Sequence, residues 1–174
     1  TYATGYIDKA AVFNGSSSKI QLPQTYGAEG ETFSYSFWIN TTTDGTSLTQ
    51  DEYIISKRNG SNTFHINITD SGKLMVNDWR GTPVVMVQST TTVTDGTWRH
   101  IVFTYNNTVG KVYINGVQET SMDFTGDLVT QSISNGNTIG LFDSGGRAYT
   151  GKLDQVRIFD RALDSGEITQ LYNE

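Results

Sequence analysis

A chain of 174 residues is long enough for one domain with a full core, and it contains no cysteine, which excludes a disulfide framework, a thiolate metal site and a cysteine nucleophile. Eighteen acidic against twelve basic residues give a net charge of -6, which argues against a nucleic-acid surface and favours neutral or cationic ligands. No apolar run approaches the roughly 20 residues of a spanning helix, so membrane insertion is not expected.

Short runs of alternating apolar and polar residues, punctuated by Gly, Asn and Asp, recur from end to end and predict an all-β chain. "AAVFNG" and "SKIQLP" read as two short strands joined at Asn14-Gly15. "TFSYSFWIN" places Phe33, Tyr35, Phe37 and Ile39 on one face, the pattern of a core strand. "EYIISK", "TFHINIT", "GKLMVNDW" and "PVVMVQS" follow at the spacing of successive antiparallel strands, with Asp70-Ser71-Gly72 as a tight turn. "TWRHIVFTYNN" and "GKVYINGVQE" form a long pair. In the second, Asn115-Gly116 is the strongest hairpin signal, because both central residues of a type I′ turn need positive φ. "NTIGLF" and "GKLDQVRIF" close the series. In "RALDSGEITQLY", Asp164 and Glu167 form a capping box, Leu163 and Ile168 stand at staple positions, and a short helix follows. About a dozen short strands exceed one ordinary sheet, so the expected fold is a two-sheet antiparallel jelly-roll sandwich with a C-terminal helix, residues 1–174 forming one domain. The start at Thr1 without Met leads us to expect a domain taken from a longer or processed parent protein. The stretches rich in Thr, Ser, Asn and Gly have the composition of extracellular, cell-surface and virion β-domains.

In their order these segments resemble the laminin-G-like branch of the concanavalin A-like lectin and glucanase jelly-roll superfamily, over nearly the whole chain. "AVFNGSSSKIQLP" is similar to the family's opening strand pair, "TFSYSFWIN" to its aromatic core strand, and "GTWRHIVFTYNNTVGKVYINGVQ" to its tryptophan strand and hairpin. "NTIGLF" with "YTGKLDQVRIFDRALDSGEITQLY" is similar to the closing signature. The resemblance implies two curved sheets and a module that binds sugars or proteins; a minority of relatives cleave polysaccharides.

Asp154 raises a question of its own. Strand alternation puts it on one face with Val156 and Ile158, and a buried carboxylate needs N–H donors, a cation such as Arg157 or Lys19, or a metal. The resemblance implies a structural calcium held by Asp154 and by Asn14 with the turn carbonyls near Gly15 to Ser17, which are the hard oxygen ligands this ion prefers. No strand carries the alternate carboxylates of the polysaccharide-cleaving relatives; Asp51-Glu52 reads as a solvated loop, and His65 and His100 as packed or surface strand residues, so no catalytic residue is expected. For binding, aromatic faces flanked by polar groups suit sugars. Trp79 beside Arg80 is the first choice for an exposed platform, and the loop carrying Asp143, Arg147 and Tyr149 is the second. The expected function is therefore a non-catalytic module recognising a glycan or cell-surface glycoconjugate. A structural or decoration domain of a virion or surface protein without a ligand is the alternative, and a polysaccharide-degrading domain a more distant one.

Overall fold

The structure, a computed structural model, describes residues 1–22, 32–43, 51–59, 62–125, 128, 136–141 and 148–174. Among these the strands are β1 (Tyr2–Thr4), β2 (Lys9–Asn14), β3 (Ile20–Leu22), β4 (Phe33–Asn40), β5 (Glu52–Asn59), β6 (Asn62–Ile68) and β7 (Lys73–Arg80). They continue as β8 (Pro83–Thr92), β9 (Arg99–Tyr105), β10 (Val109–Ile114), β11 (Val117–Gln118), β12 (Phe124–Thr125), β13 (Gly136–Ile139) and β14 (Thr150–Phe159), and helix α1 (Ser165–Tyr172) follows. The strands form an eight-stranded sheet, β1-β2-β14-β4-β9-β10-β11 with β12 also on β10, and a six-stranded sheet, β3-β13-β5-β6-β7-β8. We call these the first and second sheets. Their strand pairings are antiparallel, as the expected jelly roll requires.

The two sheets bury their facing sides against each other. From β4, Phe33, Tyr35, Phe37 and Ile39 point inward and meet Phe64, Ile66, Ile68, Leu74 and Val76 of the second sheet. The rings of Phe33 and Phe64 cross the layer edge to face, 6.3 Å apart. Each such side chain contributes about 1.5–3 kcal/mol by leaving water, which is why this strand could be recognised from its alternation alone. Asn115 and Gly116 have φ of 53° and 76°, as the I′ turn demands, and the Asn115 side chain accepts the His100 N–H at 2.9 Å. At the C-terminus Asp164 accepts from the Glu167 amide and Glu167 from that of Asp164, the anticipated capping box. Leu163 and Ile168 then pack with Val102 and Tyr113 on the outer face of the first sheet.

The two short strands joined at Asn14-Gly15 are present as β2 and β3; they lie in different sheets, and the segment between them crosses from one layer to the other. Two expectations change. Glu52 is not in a solvated loop; it begins β5, is 4% exposed, and accepts the Thr150 N–H at 3.1 Å. Asp154 does not share the core face with Ile158. A bulge separates the pairs Asp154–Trp38 and Arg157–Ser36, with Gln155 at φ 46°, so that Leu153 and Ile158 both face inward although five residues apart. The extra residue reverses the alternation and turns Asp154 to the outer side.

Candidate functional site

The outer face of the second sheet carries the most distinctive chemistry among the described residues. Residues directly paired across strands share a face, so the register defines three rows. The first runs Tyr53, Asn67, Met75, Gln88; the second Thr138, Ser56, His65, Asn77, Met86; the third Arg58, Thr63, Trp79. These polar residues alternate with the inward Phe64, Ile66, Leu74 and Val76, which is how one strand builds a core on one side and a polar floor on the other.

Several members of the floor are buried without complete hydrogen bonding. Asn67 is 0% exposed and neither its amide oxygen nor its nitrogen has a partner; the same holds for Ser56 Oγ and for Asn77 Oδ1. Buried polar groups are normally paired, and each one left open costs about 1–3 kcal/mol. Beside them, His65 packs edge-on against Tyr53, their rings 4.3 Å apart. Trp79 stands at the margin of this floor, 40% exposed, and Met86 near it is also exposed. No carboxylate occupies any of the three rows, so the paired acids of glycoside hydrolysis do not meet there.

The residues chosen from the sequence are dispersed. Trp79 is 40% exposed. Arg80, one residue on, points to the opposite side, where its guanidinium bonds the buried Asp78 carboxylate at 3.2 Å, so the two do not form one site. Tyr149 is 0% exposed and belongs to the core, packed on Phe13, with its hydroxyl 3.2 Å from the Lys152 carbonyl. Burial pushes its phenol far above the ordinary range. It cannot touch a ligand. Asp143 and Arg147 lie outside the described residues. Trp38 faces outward but is covered by Tyr6, stacked at 3.5 Å, and by Tyr172 at 5.7 Å. Beneath it His100 bonds Ser36 at 2.9 Å; burial first, and then the Arg157 charge, hold its imidazole down at about 4, so it is neutral near pH 7.

The calcium expected from the resemblance does not fit Asn14 and Asp154 as a pair. Asn14 lies opposite Thr150, four residues from Asp154, or about 13 Å along β14. Two ligands of one calcium are within about 5 Å of each other. Their oxygens are also engaged: Asn14 Oδ1 accepts three N–H groups, from Ser16, Ser17 and Ser18, at 3.1, 2.9 and 3.0 Å. Asp154 accepts the Ile7 N–H at 2.9 Å and the Gln155 N–H at 2.8 Å. Of the partners foreseen for Asp154, backbone amides are those it meets; Arg157 bonds Gln155 and Glu174 instead. No cluster of three or more His, Asp or Glu side chains is found among the described residues.

Comparison with known proteins gives these features a family. A family model described as the concanavalin A-like lectin/glucanases superfamily matches residues 13–169. The chain belongs to this superfamily, in its laminin-G-like branch. Among solved structures it is similar to domain 4 of AbnA, a GH43 extracellular arabinanase from Geobacillus stearothermophilus, in complex with arabinotriose. That match has a TM-score of 0.79 at 24% identity and covers 98% of this chain and 80% of that one. The Ruminococcus gnavus IT-sialidase CBM40 bound to α2,3 sialyllactose is similar at a TM-score of 0.73 and 13% identity, with 94% and 96% covered. The binding domain of Paraclostridial Mosquitocidal Protein 1 has a TM-score of 0.69 at 20% identity, with 99% of this chain and 45% of that one covered. No curated protein sequence matches the chain.

The polar floor was not singled out from the sequence. Ser56, His65, Asn67 and Asn77 each sit at alternate positions of an ordinary strand pattern, where a polar residue reads as solvated. The signal is their register across three strands, which no single segment displays.

Proposed function

We propose that the chain is a non-catalytic carbohydrate-recognition module of an exported protein, and that it holds its glycan on the outer face of the second sheet, with Trp79 as the platform. The observation that carries this reading is the coincidence, on one face, of a 40% exposed tryptophan with the half-buried Asn77, whose Oδ1 has no protein partner, above the buried and unpaired Asn67 and Ser56. A sugar presents C–H surfaces that stack on an aromatic ring and hydroxyls that demand oriented donors and acceptors, and this face supplies both. Asn77 and Trp79 offer the first contacts, with Arg58 and Thr63 alongside in the third row. The solved complexes of similar fold with arabinotriose and sialyllactose support a glycan as the ligand, and the arabinanase is described as extracellular.

The test is a glycan array followed by calorimetric titration of the best binder. Trp79→Ala should weaken binding about tenfold or more, about 1.4 kcal/mol, since truncating an anchoring aromatic costs more than about 1 kcal/mol. Asn77→Ala should weaken it as well. Binding that survives both substitutions unchanged would rule out this face, and silence across a broad array would favour a purely structural domain.

A further inference from the structure

On the far side of the molecule, a groove of about 330 Å³ opens between β9–β10 and the start of α1, lined among others by Thr104, Asn106, Lys111, Tyr113, Asp164 and Ser165. We propose that it is a second saccharide site, which takes a neutral polyhydroxylated ring independently of the Trp79 face. Its volume falls within the about 300–1,000 Å³ of small-molecule sites.

The register shows how the groove is made. Ser34, Thr104 and Lys111 are paired across β4, β9 and β10 and therefore point to the same side. Ser34 turns toward the helix, where its hydroxyl donates to the Arg161 carbonyl at 2.9 Å and accepts the Leu163 N–H at 3.0 Å. Thr104, next in the row, faces the groove; it is 5% exposed and its hydroxyl bonds no described residue. A hydroxyl that bonds no protein group at the wall of a groove meets water there, and a ligand hydroxyl can take that water's place.

The remaining groups define the ligand's chemistry. Asn106 uses its Oδ1 to accept the Thr108 and Val109 N–H groups, at 3.1 and 2.7 Å, which leaves its NH₂ end as a donor. Lys111 has no carboxylate partner among the described residues. Asp164 commits Oδ1 to the Glu167 N–H in the helix cap and retains Oδ2 as an acceptor. Tyr113, 8% exposed, packs its ring in the cluster under α1 and contributes a phenol. One cation, one anion, an amide donor and the three hydroxyls of Thr104, Tyr113 and Ser165 line one small space. An ionic ligand of either sign would meet a like charge there, whereas sugar hydroxyls donate and accept at once. Two sites on opposite faces would let one module grip a polysaccharide twice and gain avidity without new contacts.

Amide chemical-shift mapping tests the proposal, with glucose, galactose, arabinose, N-acetylglucosamine and their short oligomers as probes and glucuronate as the charged control. The expected result is saturable shifts at Thr104, Lys111 and Ser165 at millimolar neutral sugar, with the same midpoint in Trp79→Ala. Thr104→Val, a near-isosteric change, and Lys111→Ala should each raise that midpoint about tenfold. If Thr104→Val does not fold, Lys111→Ala on the partly exposed strand position decides. The proposal is overturned if no groove amide shifts with any neutral probe, if both variants titrate like the parent, or if only glucuronate binds. Groove shifts that persist while Trp79→Ala changes nothing elsewhere would sink the Trp79 reading alone.

Discussion

Asp154→Ala isolates what the closing strand's carboxylate does. In the parent it is 6% exposed and accepts two backbone N–H groups, one of them from Ile7, 147 residues earlier. This bond pins the segment between β1 and β2 onto β14, so it joins the two ends of the chain. Alanine leaves both donors without the carboxylate. Hydrogen bonds to a charged group contribute about 1.5–3 kcal/mol each, but Ile7 is partly exposed and its amide can recover water once the segment lifts. The expected loss is therefore about 2–4 kcal/mol rather than the full sum. For a chain of this size each kcal/mol moves Tm by about 2–4 °C, so the midpoint should fall by roughly 5–15 °C. Scanning calorimetry measures the fall, and hydrogen exchange should show the Ile7 amide losing protection first. Gly5→Ala provides an independent check: a Cβ there would stand 2.5 Å from Asp154 Oδ2 and 2.8 Å from the Ala10 nitrogen, and the backbone atom cannot give way. Because the bonding is to amides, the loss should be equal in EDTA and in added calcium. A drop in Tm that appears only with calcium present would refute the hydrogen-bond account and restore a metal at Asp154.

Glu52 gives a pH dependence with a definite sign. Burial raises its carboxyl above the ordinary glutamate value of 4.5, against the bonds from Thr150 and Thr43. Its contribution to stability is thus fully present below about 4.5 and is lost as pH rises through the raised folded value. Glu52→Gln keeps an acceptor for the Thr150 N–H and removes the charge, so it should melt higher than the parent at pH 7 and converge with it in acid; a parent that is the more stable at pH 7 would contradict this. Tyr149→Phe should cost about 1 kcal/mol of stability through loss of the hydroxyl bonds and leave glycan affinity unchanged in titration. A tenfold affinity loss would mean that Tyr149 reaches ligand after all.

How much could be read from the chain depended on the range of the signal. The core strand β4, the Asn115-Gly116 turn and the capped helix are local: alternation, positive φ and a capping box are each written within a few residues, and each was recognised. Asp154 shows where that reading stops. Strict alternation assigned it to the core face, and a single inserted residue at Gln155 moved it to the other side while leaving Leu153 and Ile158 inward. A bulge has no sequence mark beyond the mismatch it creates between two partners, and the partner here, β4, lies more than 100 residues away.

The same limit governed the candidate site. Trp79 and Arg80 are adjacent in sequence, yet adjacency on a strand puts them on opposite faces. Asn67, Ser56 and Asn77 are separated in sequence and become neighbours only when β5, β6 and β7 pair in register. Cross-strand rows, rather than motifs, are thus the unit in which a sheet-borne candidate site is encoded. This is also why the Thr104–Lys111 row, beside a helix whose cap was read correctly, had no signature in the linear chain. Its two residues are opposite members of one antiparallel pair, and Ser34 in the same row bonds the segment that leads into α1.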